Sequence, residues 1–151
     1  LSLVGSEMCI RDSIWGVAGN AGNGAAEAAL ETGKAWFIGV DSDQELTFGA
    51  DLAALTLTSG LKNIGNSLIW FFDELDAGRT YWGTEVSLGL KEGGVGIVKD
   101  KNFAKYASEA TVAAVAAAEQ AVLDGSVVVP TAIGEGAVDI NALRDSVKVA
   151  G

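Results

Sequence analysis

Asp41 and Asp43 stand one residue apart, directly after the apolar run Trp36-Phe-Ile-Gly-Val40. A carboxylate at the tip of a buried strand can accept charge-assisted hydrogen bonds from a hydroxylated ligand. The same Asp-x-Asp spacing suits Mg2+ chemistry in phosphotransferases and glycosyl transferases, which needs further acids or a base nearby. No obvious set of that kind follows in the sequence. Two acids at i and i+2 on a loop point different ways, so Asp43 reads better as a turn or cap residue and Asp41 as the binding group. Lys62 falls in the first turn of a predicted helix, where the macrodipole disfavours a cation. That position points to a contact outside the helix; a solvated helix residue is the plain alternative. The stretch Gly19-Asn-Ala-Gly-Asn-Gly24 permits a tight turn and aims backbone N–H groups and a helix N-terminus at a ligand. The separation of Gly19 from Asp41 is close to that between the glycine turn and the ribose-binding acid of a dinucleotide site. The G-x-G-x-x-G fingerprint is incomplete, however, with Glu27 where its last glycine belongs.

Alternating strands and helices must position these groups. Ile14 to Ala18 reads as a strand, followed by the glycine loop and a helix through Ala25 to Leu30. Asn20 or Asn23 would cap that helix and Gly33 would end it. Strand 36–40 completes a right-handed βαβ unit. A polar loop over 42–49, a strand near 54–58 and a helix from about Leu61 to Ala77 come next. Leu61, Ile64, Leu68, Phe71 and Leu75 share a face of that helix, and Gly78 stops it. Tyr81 to Leu90 alternates as a strand, residues 91–96 form a glycine-rich bend, and 95–98 continue extended. A long helix over 103–124 turns Val112, Val115, Ala116, Val122 and Leu123 inward, and 127–130 is a strand ending on proline. Trp15, Trp36, Trp70 and Trp82 are core candidates, with Trp15 also placed to line a cleft. The predicted fold is α/β, with a mostly parallel sheet covered by helices on both faces. Ligands of such sheets bind at the carboxyl ends of the strands, so Asp41 is expected to face a groove that a sugar can fill.

The totals exclude several functions. The 151 residues suffice for one core, and 49% hydrophobic with 20% charged is a globular composition. Histidine is absent, which removes His-based catalysis and His metal sites within this chain. Cys9 is the lone cysteine, so no internal disulfide forms. A net charge of -10 argues against a nucleic-acid partner. No apolar run reaches membrane-spanning length. Residues 1–13 fit neither strand nor helix periodicity and look like a non-native adapter-derived tail. Residues 14–130 carry the fold, and 131–151 form a weakly patterned C-terminal tail.

Several segments, taken in order, carry a likeness. They are Val17-Ala-Gly-Asn-Ala-Gly-Asn-Gly24, Phe37-Ile-Gly-Val-Asp-Ser-Asp-Gln44, Thr58-Ser-Gly-Leu-Lys-Asn63, Gly89-Leu-Lys-Glu-Gly-Gly-Val-Gly96 and Val122-Leu-Asp-Gly-Ser-Val-Val-Val-Pro130. The set resembles the C-terminal half of the basic membrane proteins, the purine nucleoside receptor lipoproteins of ABC importers. The resemblance implies a type I periplasmic-binding-protein fold, here incomplete and mainly one lobe, without catalysis and without a cofactor. It implies a nucleoside ligand, with Asp41 on the ribose hydroxyls, Lys62 on the ligand and Gly19 along the cleft. It also implies an ABC permease as partner and a periplasmic or cell-surface location. Membrane attachment would come only through an N-terminal lipid anchor outside this chain. The alternative from a different class is an α/β enzyme domain using Asp41 and Asp43 with Mg2+ or a nucleotide cofactor.

Overall fold

The computed structural model describes residues 12–131 and 137–146. Most of the expected adapter-like tail, including Met8 and Cys9, lies outside those residues, as do 132–136 and 147–151 of the C-terminal tail. The chain divides into two compact units, Leu1–Ala114 and Val115–Gly151.

The first unit holds a four-stranded sheet in the order β1 (Ser13–Trp15), β2 (Trp36–Asp41), β3 (Thr56–Lys62) and β4 (Val95–Ile97). The first three strands run parallel and β4 is antiparallel to β3. Aromatic and β-branched residues favour the extended form of β2, and Phe37 at its start is fully buried. That burial contributes roughly 1.5–3 kcal/mol. On the same face the Phe48 ring lies 5.9 Å from Phe37. Helix α1 (Ala21–Thr32) buries Gly22, Ala26 and Ala29, small residues at helical spacing that let it approach the sheet closely. Neighbouring strand residues point to opposite faces. Trp36 accordingly meets Tyr106, at the end of α5 (Lys101–Tyr106), with ring centroids 4.9 Å apart. Helices thus flank both faces, and the predicted α/β architecture with a mostly parallel sheet is the one observed.

Several local expectations are corrected. The loop over 42–49 contains a short helix, α2 (Gln44–Thr47), and α3 (Ala50–Leu55) occupies the start of the expected third strand. Strand β3 then continues to Lys62, so Lys62 ends a strand and is not in a helical first turn. Ser59-Gly60 read as a turn in sequence, yet Ser59 is fully buried. Trp15 lies beside Gly60, where an added Cβ would meet Cζ2 of the indole at 3.6 Å.

Helix α4 (Ile64–Asp76) half-covers Ser67, Trp70, Phe71, Glu74 and Leu75, while Ile64 and Leu68 stay exposed. Its covered face is rotated because the chain after Gly78 folds back. The Tyr81 ring packs tilted against Trp70 with centroids 5.2 Å apart, and Trp82 meets Phe71 edge-to-face at 5.7 Å. The Tyr81 hydroxyl donates to Glu74 Oε2 at 2.7 Å, and Arg79 pairs with the same carboxylate. Hydrogen bonds from Arg79 first and Tyr81 second hold the Glu74 pKa down to about 2. Residues 81–90 are therefore turns and irregular chain, not a strand.

The expected helix over 103–124 is broken at Ala107-Ser108. Ser108 Oγ accepts the Thr111 N–H at 3.1 Å, which starts α6 (Glu109–Leu123) afresh. No residue of α6 is buried, so the expected inward set is not formed among the described residues. In the second unit Val127, Val128 and Val129 are exposed and form no strand, and α7 (Ile140–Ser146) follows.

Candidate functional site

Because β2 and β3 are parallel and adjacent, their final residues share one edge of the sheet. The register sets Asp41 beside Leu61, and Lys62 follows. Lys62 Nζ lies 2.8 Å from Asp41 Oδ1, with the two side chains 68% and 49% exposed. Two residues far apart in sequence are thus joined at the carboxyl ends of neighbouring strands. A carboxylate only accepts and an ammonium only donates. A hydroxyl can donate to one and accept from the other, and a vicinal diol has groups for both.

Gly19 lies in the loop leaving the carboxyl end of β1, on the same edge. Its φ is 53°, and nothing stands within 4 Å of where a Cβ would be. The loop does not form the expected cradle of free amides. The N–H groups of Ala21, Gly22 and Asn23 donate inward to the Ala18, Gly19 and Asn20 carbonyls at 3.1, 3.0 and 3.2 Å. Asn20 occupies the N-cap position of α1 without a side-chain cap bond, while Gly33 closes that helix at φ 61°.

Asp43 takes the cap role. Its Oδ1 accepts the Glu45 N–H at 3.1 Å and its Oδ2 pairs with Lys101 at 2.7 Å. Hydrogen bonding to Asp43, then to Asp100, raises the Lys101 pKa. Asp41 and Asp43 therefore serve different lysines and do not converge on one point. Among the described residues no group of three or more His, Cys, Asp or Glu side chains is placed to hold a metal ion. Behind this turn Glu45 Oε1 accepts the Asn102 N–H at 3.3 Å, while Oε2 is buried without a partner. Burial pushes the Glu45 pKa up.

A groove of about 440 Å³ lies at the opposite end of the sheet, lined by Leu30, Lys34, Trp36, Asp51, Ala54 and Leu55 among others. Asp41, expected to face a groove, is not among the residues lining this one. Three residues around Asp41 went unremarked as site residues or were assigned to the core. Gln44 Oε1 accepts the Val40 N–H at 2.9 Å, Ser59 Oγ accepts the Gln44 N–H at 3.1 Å, and the Trp15 indole donates to the Gly39 carbonyl at 3.2 Å. A glutamine in a polar loop and a serine in an apparent turn carry no periodicity that would reveal such contacts.

Residues 11–132 match the family model of the PnrA-like ABC transporter substrate-binding proteins. The chain belongs to this family. Members of this family of substrate-binding proteins are non-catalytic. The ABC transporter nucleoside-binding protein BmpA of Lactococcus lactis subsp. cremoris is 32% identical over 80% of this chain and 36% of its own length. Basic membrane protein A1 of Borrelia garinii subsp. bavariensis is 35% identical over 65% of this chain and 28% of its own. The chain therefore spans about a third of the length of these curated relatives. An ABC transporter solute-binding protein of Aeropyrum pernix K1 superposes with a TM-score of 0.60 at 23% identity, over 88% of this chain and 42% of that one. At that identity the likeness shows the fold.

Proposed function

We propose that this chain forms part of an extracytoplasmic binding protein that captures a nucleoside, a purine nucleoside in the first instance, and delivers it to an ABC permease. The observation that carries the reading is the Asp41–Lys62 pair at the carboxyl edge of the sheet. An acceptor beside a donor suits the vicinal hydroxyls of ribose, and the loop at Gly19 borders the same edge. The Lactococcus relative named for nucleoside binding supports the ligand class. Half-exposed as it is, the pair needs a facing wall to exclude water, and closure of a second lobe over the ligand would supply it. Anchoring of the whole protein at the plasma membrane through a lipid on its N-terminal side belongs to the same proposal; no helix among the described residues is long and apolar enough to cross a membrane.

The test is calorimetry on the full-length protein that carries this chain, titrated with adenosine, guanosine and inosine. Asp41→Ala weakens binding by about a hundredfold or more if the reading is right. Unchanged affinity would refute it.

A further inference from the structure

Asp41 has a φ of 70°, in the left-handed region that L-residues other than glycine seldom adopt. The Ser42 N–H donates back to the Val40 carbonyl at 2.9 Å, which closes a three-residue turn centred on Asp41. A turn of this kind with a positive central φ is the rarer, strained form. Strain held at one residue persists only where the surroundings over-determine it, and it gathers at functional sites.

The surroundings here are specific. The Gly16 N–H reaches the Ile38 carbonyl at 3.2 Å, after which the chain leaves β1 for the glycine loop. The Val40 N–H points to the same side of β2 as Ile38, where β1 no longer runs. Gln44 Oε1 fills that place at 2.9 Å. Gln44 is itself fixed, because its N–H donates to the Oγ of buried Ser59 on β3. Gly39 makes room for the arrangement: a Cβ there would clash with Ser59 Oγ and stand 2.7 Å from Gln44 Oε1. The first residue of the strained turn is thus tied to β3 through two side chains.

We propose that Gln44 and Ser59 are the positioning residues of the site: they brace the strained turn at Asp41 and thereby aim its carboxylate at Lys62 and the ligand. This rests on the reading of Asp41 as a ligand group, but the brace itself is testable without ligand. Gln44 touches no ligand in this account; it acts through Val40 and Asp41. Its side-chain carbonyl is the working group, so a residue that keeps an acceptor at that length preserves the effect and one that removes it does not.

The experiment compares wild type, Gln44→Leu, Gln44→Glu and Ser59→Ala in the full-length protein. It reads hydrogen exchange at the Val40 amide, affinity for adenosine and melting temperature. Gln44→Leu is expected to speed Val40 exchange about tenfold and weaken adenosine binding about tenfold, the effect of one lost hydrogen bond to a part-buried amide. Gln44→Glu recovers the Val40 protection and most of the affinity. Ser59→Ala gives a smaller change in the same direction and covers the case in which Gln44→Leu fails to fold. If wild type binds no nucleoside, the functional reading fails and Val40 exchange alone decides the brace. Equal Val40 exchange in wild type, Gln44→Leu and Ser59→Ala would overturn the proposal. So would a loss of melting temperature in these variants with adenosine affinity unchanged, because the role would then be structural only.

Discussion

At its amino end the sheet borders a groove of about 440 Å³ whose walls include Leu30, Trp36, Ala54 and Leu55. At its carboxyl end Asp41 and Lys62 form an exposed ion pair with Gly19 in a neighbouring loop. The first end has volume, with Lys34 and Asp51 among its lining residues; the second has a carboxylate and an ammonium paired at 2.8 Å. The difference teaches that a concavity and a matched donor–acceptor pair need not coincide on this fold. Strand ends gather polar groups from residues distant in sequence, because parallel neighbours finish side by side. An exposed ion pair contributes at most about 1 kcal/mol to stability. Its placement beside a strained turn fits recognition better than stability.

Substitutions at the two ends should therefore diverge. Asp41→Ala in the full-length protein is expected to lower adenosine affinity by about 3 kcal/mol or more, since ligand hydroxyls and Lys62 lose a charged partner. Asp51→Asn in the groove should leave affinity within about twofold by the same calorimetry, as surface substitutions away from a site usually do. A loss at Asp51 equal to that at Asp41 would move the site to the other end.

Gly39→Ala separates support from contact. The new methyl would meet Ser59 Oγ and Gln44, and such overpacking costs about 1–3 kcal/mol of folding stability, read by urea unfolding. Lys62→Met should weaken adenosine binding roughly tenfold yet change unfolding by less than about 0.5 kcal/mol, because the pair is exposed. A large unfolding effect would make the pair structural.

The smallest expected effect concerns pH. Burial raises the Glu45 pKa above its ordinary 4.5. A carboxyl with a raised folded pKa contributes stability that is fully present below 4.5 and is lost as pH rises through the folded value. Glu45→Gln should remove this component, raising the melting temperature at pH 7 relative to that at pH 4. An unaltered pH profile would show that Glu45 is not desolvated.

The sheet edge was largely legible in the sequence. An apolar run ending in an acid marked β2 and Asp41, Gly33 marked a left-handed helix end, and Asp43 behaved as a cap. Lys62 was singled out as a candidate, but on the wrong element. Ser59-Gly60 has the composition of a turn, but pairing with Gly39 and Val40 on β2 keeps that segment extended. The covered face of α4 was misjudged because tertiary contacts from Tyr81 and Trp82 choose it, not its own periodicity. Valine-rich residues 127–129 show the converse: high strand propensity without a neighbour forms no strand. The brace on Asp41 was hidden because it depends on a side-chain carbonyl meeting a backbone amide where β1 has ended.

Calorimetry of the full-length protein with adenosine and with 2′,3′-dideoxyadenosine tests the central claim most directly. The account predicts that wild type binds the dideoxy compound at least about a hundredfold more weakly, because a site built for hydroxyls is left unpaired without them. Equal affinity for the two compounds would show that the Asp41–Lys62 edge does not hold the sugar.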